Sequence, residues 1–306
     1  MIPLLLTEKT PLSPRITRFR FQHPDGAALP VFSGGAHVIV EMQDGDTLRR
    51  NAYSLVSDPQ DGSGYEIAVQ REDQGRGGSR FMHEQAQPGM TMRLGQPVNL
   101  FGLNLTARKH LLIAGGVGIT PFLAQIADLD RLGAEYELHY ALRARSELAA
   151  DLPGAHLHVS DEGSRMDLAA ILADQPLGTH LYVCGSARMI DSVLQAAIAL
   201  GWPRDALHSE EFLAPAPGAP FAVHCAASDQ TLTVGPHESL LEAMEAAGID
   251  APWLCRGGAC GQCETDVLAC DGQIDHRDHW LEPGEQARKI MPCVSRFKGA
   301  LLTIDR

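Results

Sequence analysis

Between Arg15 and about Leu105, apolar and polar residues alternate in short runs, among them Ile16-Thr17-Arg18-Phe19-Arg20-Phe21 and His37-Val38-Ile39-Val40-Glu41-Met42. Alternation with period two sends one side of each run to a core and the other to water, as half-buried strands require. Gly, Pro and Asp turns separate the runs and helical periodicity is scarce, so the stretch is expected to close as a small antiparallel β-barrel.

The pattern changes at His110. The apolar run Leu111-Leu112-Ile113-Ala114 enters a glycine turn, a helical stretch from Pro121 to Leu132 follows, and Glu137 to Ala141 reads as another strand. A strand from His180 to Cys184, a turn at Gly185 and a helix through about Leu200 repeat the cycle. Strand–helix–strand order predicts a parallel sheet covered by helices. Leu213 to Pro220 is proline-rich and aperiodic, as in a semi-rigid linker. Beyond it a hairpin is expected from Phe221 to Val234, then a helix over Ser239–Ala247 stopped by Gly248. The predicted division is 1–105, 106–212, a linker over 213–220, and 221–306, a multidomain chain of barrel, α/β and α+β units.

Composition narrows the function. The 306 residues are 44% apolar and carry a formal net charge of −13, which argues against a nucleic-acid surface because phosphate binding needs clustered Lys and Arg. No apolar run is long enough to span a bilayer, and Met1 to Thr7 lack a basic start and a small-residue cleavage site, so no membrane partner and a mature N-terminus are expected. Seven cysteines without a secretion signal suit a reducing cytoplasm better than a disulfide framework.

Four of those cysteines carry the sharpest chemistry. Cys255, Cys260 and Cys263 have the C-x4-C-x2-C spacing of plant-type ferredoxins, and Cys293 supplies the distant fourth thiolate of a [2Fe-2S] centre. Glycines in the loop let backbone N–H groups approach an anionic cluster. Structural zinc is the alternative ligand for four thiolates, but zinc ribbons pair two C-x2-C knuckles, whereas here three cysteines share one loop. Cys270 falls outside the pattern and reads as a buried or edge thiol.

Two stretches of the barrel suit a flavin. Arg50-Asn51-Ala52-Tyr53-Ser54-Leu55 ends a strand, where an arginine pairs with phosphate, a tyrosine flanks the ring or ribityl chain and the backbone meets the polar ring edge. Gly77-Gly78-Ser79 opens a predicted helix whose free N–H groups favour phosphate. Each segment has a plainer reading, as surface strand residues and as a turn. In the next domain Gly115, Gly116, Gly118, Thr120 and Pro121 lie between a buried strand and a helix, where glycines permit close approach of a pyrophosphate, although the spacing is not G-x-G-x-x-G. Cys184 and Gly185 end a later strand at the sheet edge where α/β folds bind ligands. There Cys184 is expected to position nicotinamide; its alternative is a small core residue.

Taken in order, these elements resemble the phthalate dioxygenase reductase family, whose relatives include vanillate demethylase reductase subunits. The resemblance spans all three domains. It implies a flavin-binding barrel, a nicotinamide domain of ferredoxin-reductase type and a C-terminal plant-type ferredoxin that together pass electrons from NADH to a Rieske non-haem iron oxygenase. It also implies FMN in preference to FAD, and Phe212 against the flavin ring. The family's commoner R-x-Y-S is here R-x-x-Y-S-L, which leaves Arg49 and Arg50 as alternative phosphate partners. No acidic residue for a ribose diol follows the second strand, where Arg143 and Arg145 stand instead. Asp275-His276-Arg277-Asp278-His279 reads as a charged surface turn in preference to a metal site. Rival readings are a reductase for a different monooxygenase, and a non-enzymatic zinc module.

Overall fold

A computed structural model describes residues 1–147, 152–212 and 217–306. Contacts divide the chain into two compact units, Met1–Phe212 and Leu213–Arg306.

The first unit opens with the strands β1 (Ile2–Pro11), β2 (Ile16–Gln22), β3 (Ala36–Asp44), β4 (Thr47–Ser54) and β5 (Tyr65–Gln70). Helix α1 (Gly78–Glu84), β6 (Thr91–Leu94) and the short β7 (Val98–Asn99) complete this part. The sheet order is β4-β3-β6-β1-β2-β5 with antiparallel pairing, and a bridge from Leu55 to Ile67 returns the end of β4 to β5, closing the barrel. Alternate residues fill it: Phe19 and Phe21 of β2, Val38, Val40 and Met42 of β3, and Ile67 and Val69 of β5, with Phe81 and Met82 of α1 packed on the same core. Each such burial contributes about 1.5–3 kcal/mol.

The chain then builds a parallel sheet from β8 (Lys109–Gly115), α2 (Thr120–Leu132), β9 (Tyr136–Leu142), β10 (His156–Val159), α3 (Leu168–Ala173), β11 (Thr179–Gly185), α4 (Ala187–Ala199) and β12 (Leu207–Glu211). Its order is β10-β9-β8-β11-β12. Leu112, Ala114, Tyr140, Tyr182 and Cys184 face a core shared with Phe122 and Leu129 of α2. Leu111, Ile113, Leu181 and Val183 face the opposite core with Leu172 of α3 and Ile190, Val193 and Ala197 of α4.

Barrel and parallel sheet belong to one unit because their cores merge. Ile16, Ala68 and Phe101 of the barrel side join the α2 core. Gly34 N donates to Asp128 Oδ2 at 2.6 Å, and a Cβ on Gly34 would collide with the α2 backbone at Gln125. The division expected near residue 105 therefore falls inside a packed interface.

The second unit comprises β13 (Phe221–Cys225), β14 (Gln230–Val234), α5 (Leu240–Ala246), β15 (Thr265–Asp275), β16 (Lys289–Ile290) and β17 (Arg296–Ile304), in sheet order β14-β13-β17-β15-β16. Ser239 caps α5 in a reciprocal capping box with Glu242, and Gly248 at φ 74° ends the following turn. Of the expected linker, residues 213–216 lie outside the described residues. Its other end is tied down: Gly218 N donates to Pro236 O at 3.0 Å, and Arg296 Nη2 donates to Ala219 O at 2.7 Å.

Candidate active site

The order of the parallel sheet sets the first part of the site. The chain leaves β8 toward β9 and β10, then returns to β11 on β8's other side, so the topological switch point lies between the carboxyl ends of β8 and β11. Open α/β sheets bind ligands there. Ala114 and Cys184 are Cα partners at this point, with Gly115 and Gly185 one residue further on.

The structure gives two glycines of this turn a packing role. Gly118, in the 3-10 turn Gly116–Ile119, needs no side chain because a Cβ would collide with the Cys184 carbonyl, and one on Gly115 would meet Met189 Sδ. They allow two strand ends to approach each other. Gly116, with φ 55° and open space around its Cα, is the glycine left facing outward, and its carbonyl accepts from Tyr140 Oη at 3.0 Å. Thr120 is buried and its hydroxyl donates back to Val117 O at 3.0 Å, and Pro121 is buried within the first turn of α2.

Cys184 is fully buried, and burial, with the neighbouring Glu210 carboxylate, pushes its thiol well above the usual range. Glu210 is the Cα partner of Cys184 in β12. Burial raises its carboxyl to about 8, and its Oε2 is enclosed without a hydrogen-bond partner. Glu210 was not singled out from the sequence. Its signal was a carboxylate two residues before Phe212 on a strand pairing with an apolar one. Phe212 is 44% exposed at the end of the unit. Toward the other edge, Arg145 forms a two-contact pair with Glu162 at 3.0 and 2.8 Å, and Arg143 lies 3.8 Å from Asp161. The acidic groups absent after β9 thus arrive from the turn after β10.

The barrel distinguishes the two arginines. Strand pleating puts Arg49, Asn51 and Tyr53 on one face of β4 and Arg50 on the other. Arg50 Nε donates to Glu41 Oε1 at 2.8 Å, and Glu41 also pairs with Arg93 at 3.2 Å. Arg49 and Asn51 instead crowd the start of α1. A Cβ on Gly78 would collide with Asn51 Nδ2, and one on Gly77, already at φ 99°, would press on the Arg49 guanidinium. Arg49 also donates to Arg76 O and pairs with Asp44 at 3.0 Å, while Asn51 Nδ2 donates to Tyr53 Oη at 3.1 Å. The structure therefore brings Arg49, and not Arg50, to Gly77 and Gly78.

Other barrel expectations divide similarly. Ser79 Oγ folds back to the Glu72 backbone, accepting from its N–H at 3.0 Å. The Leu55 side chain lies in the barrel core. Ser54 Oγ and His37 Nε2, on paired residues of β4 and β3, are buried without partners, and burial holds His37 down at about 4. Such orphaned polar atoms fit a cofactor that supplies the missing hydrogen bonds.

In the second unit the four thiols stand as neighbouring pairs, Cys255 beside Cys260 and Cys263 beside Cys293. Contact with Cys260, and N–H groups of Gly257, Ala259 and Cys260, draw Cys255 down to about 5; the same pairings push Cys260 and Cys293 upward. The loop achieves this with left-handed residues at Gly258 and Gly261 and at the non-glycine Arg256, φ 54°. Arg256 is fixed there by Glu245 at 2.8 and 2.6 Å and by Trp253, whose ring centre lies 4.5 Å away. Inward-turned amides around four converging thiols fit an anionic iron–sulfur cluster. Cys270 lies apart and exposed on β15. In the Asp275–His279 turn His276 Nε2 lies 3.0 Å from Gln286 O, while the wholly enclosed Asp278 carboxylate accepts from Trp280 N and Leu281 N. That turn is charged but only partly a surface feature.

Comparisons with known proteins find three families along the chain. Residues 3–102 match the oxidoreductase FAD-binding domain family, 97–207 the N-terminal domain of dimethylamine monooxygenase subunit DmmA-like proteins, and 223–298 the 2Fe-2S iron-sulfur cluster binding domain family. The chain is 46% identical to the heme-dependent oxidative N-demethylase beta subunit of Ectopseudomonas mendocina, covering 96% of this chain and 95% of that one. It is 42% identical to the carnitine monooxygenase reductase subunit of Acinetobacter baumannii, covering 100% and 98%. The solved structure of phthalate dioxygenase reductase superposes with a TM-score of 0.89 at 31% identity, over 100% of this chain and 98% of that one. The chain belongs to the phthalate dioxygenase reductase family, as a multidomain NAD(P)H-dependent oxidoreductase with a flavin-binding barrel, a nicotinamide-binding parallel sheet and a [2Fe-2S] ferredoxin domain.

Proposed function

We propose that this protein is the NADH-dependent reductase of an oxygenase system, with FMN in the barrel (residues 1–105), NADH on the parallel sheet (106–212) and a [2Fe-2S] cluster in 221–306, delivering single electrons to a Rieske-type oxygenase. The observation that carries the reading is one chain holding both a switch-point edge at Cys184 and four converging thiols at Cys255, Cys260, Cys263 and Cys293. A flavin held there would supply the chemistry that turns one hydride, an electron pair with its proton, into two single-electron transfers to a one-electron carrier.

The protein's share is placement. Arg49, with Asn51 and the N–H groups at Gly77 and Gly78, supplies positive charge for a terminal phosphate, which suits FMN. Tyr53 lies on the same face as Arg49 and flanks the ring, and Ser54 offers its unpaired hydroxyl. Cys184 and the neutral Glu210 line the nicotinamide end, where an uncharged buried pair keeps water and competing charge away. Phe212 follows them. Asp161 and Glu162 engage Arg143 and Arg145, which favours a ribose diol over a 2′-phosphate. Seven unbridged cysteines suit a reducing cytoplasm, and no helix among the described residues is long and apolar enough to cross a membrane.

A second reading of the partner has specific support: a relative at 46% identity is a subunit of a heme-dependent oxidative N-demethylase, and residues 97–207 match a dimethylamine monooxygenase subunit domain. A haem-containing oxygenase is then the acceptor. The test is anaerobic reduction of each oxygenase class by the purified chain and NADH, with flavin released and identified by chromatography. FMN, an NADH preference in kcat/KM and fast reduction of a Rieske partner support the proposal. FAD, an NADPH preference, or reduction of the haem partner alone overturns the corresponding part.

A further inference from the structure

Two imidazoles and a carboxylate meet at the edge of the parallel sheet, on the face opposite Cys184. Glu137 and His139 stand two residues apart on β9 and so share a face. His139 is the Cα partner of His156 on β10 and of Ile113 on β8. Ile113 belongs to the α3–α4 core, whereas Cys184 belongs to the α2 core, so this cluster is separate from the nicotinamide edge.

One donor atom from each of Glu137, His139 and His156 lies within 4.8 Å of the other two. The Glu137 oxygens are divided. Oε2 accepts from Lys109 Nζ at 2.6 Å and from Gln175 Nε2 at 3.3 Å, while Oε1 faces His139 Nε2 at 2.7 Å. The other His139 nitrogen, Nδ1, meets His158 Nε2 at 3.0 Å. Metal-ligating histidines are oriented in this way, through a hydrogen bond at the second ring nitrogen. His156 is exposed and its ring stacks 4.8 Å from that of His139. Tetrahedral ligands around zinc stand about 3.4 Å apart at zinc–nitrogen bonds of about 2.0–2.1 Å. Closing to that spacing requires the exposed His156 ring to rotate out of its stack on His139.

We propose that Glu137, His139 and His156 form a site for one divalent cation of the zinc class, which clips edge strand β10 to β9, with His158 orienting His139. Imidazole and carboxylate donors with an open side for water suit borderline divalent ions. β10 is four residues long and pairs with β9 alone in the sheet order, so a metal across the two strands stabilises the edge in proportion to occupancy.

The experiment titrates Zn2+ into EDTA-washed holoprotein by calorimetry while the flavin and cluster spectra are recorded, so that zinc capture by cluster thiolates is visible as bleaching. One bound ion without bleaching, a rise in melting temperature, at least ~10-fold weaker binding in His156→Ala and Glu137→Gln, and ~10–100-fold weaker binding in His158→Ala are expected. His156 is exposed, so its variant tests the site without disturbing the core. Equal affinity in wild type and His156→Ala, absence of binding at millimolar Zn2+, or binding that bleaches the cluster overturns the proposal.

Discussion

Glu210 lies directly across β11 and β12 from Cys184, so the enclosed carboxyl oxygen of a half-buried residue and a buried thiol share the carboxyl edge of the parallel sheet. Burial raises Glu210 from 4.5 to about 8. Between those values the folded chain keeps a proton that the unfolded chain has released. Stability is therefore greatest below the unfolded value and falls as pH rises toward 8. Melting curves of the wild type are expected to show that decline over pH 5–8, and Glu210→Gln to flatten it. Parallel pH profiles for the two proteins would show that Glu210 ionises in the folded state as it does in the unfolded chain.

Arg49 and Arg50 are adjacent in sequence but face opposite sides of β4. Loss of one charge-assisted phosphate contact costs about 1.5–3 kcal/mol, so Arg49→Ala should weaken flavin binding ~10–100-fold. Arg50→Ala, which removes the pairing with Glu41 on the other face of β4, should stay within ~3-fold. Fluorescence titration of the apoprotein with FMN measures both. The reverse order would return the phosphate to Arg50.

Gly118 stands where a methyl group would enter the Cys184 carbonyl. Because that neighbour is backbone, Gly118→Ala must separate the ends of β8 and β11, at a cost of about 1–3 kcal/mol. KM for NADH should rise with it, since the switch point opens. A variant with unchanged melting temperature and unchanged KM would mean that the edge is more yielding than its packing implies.

Arg296 is almost fully buried and donates to Glu238 O, Gly235 O and Ala219 O while lying over Phe221. Arg296→Met leaves those carbonyls unsatisfied, which should cost roughly 2–4 kcal/mol. The cluster absorption should then be lost at a lower temperature, with flavin release unchanged. Coincident shifts of both signals would contradict that independence.

Much of this arrangement was legible because pattern and chemistry coincided. Phe19 and Phe21 announced β2 by alternation, Ser239 and Gly248 bracketed α5, and cysteine spacing alone located the thiol cluster. Helix α3 and strand β10 were not foreseen. Six and four residues give periodicity too little length, and histidines at 156 and 158 broke the apolar signal. Glu210 escaped for a different reason. Its chemistry comes from burial against β11, a long-range pairing that no local pattern encodes. Arg49 was an open alternative until strand pleating settled which side each arginine faces. For the glycines of 115–118 the structure adds what the pattern lacked, packing of Gly118 against the Cys184 carbonyl and of Gly115 against Met189.

The order of carriers is the central claim, and Cys293→Ser tests it most directly. The substitution removes one of the four thiols, in a compact unit separate from Met1–Phe212. With FMN retained, NADH-driven ferricyanide reduction, which draws on the flavin, should persist near the wild-type rate, while reduction of the oxygenase partner collapses. Parallel loss of both activities with FMN still bound, or survival of both, would contradict a cluster placed last in the chain.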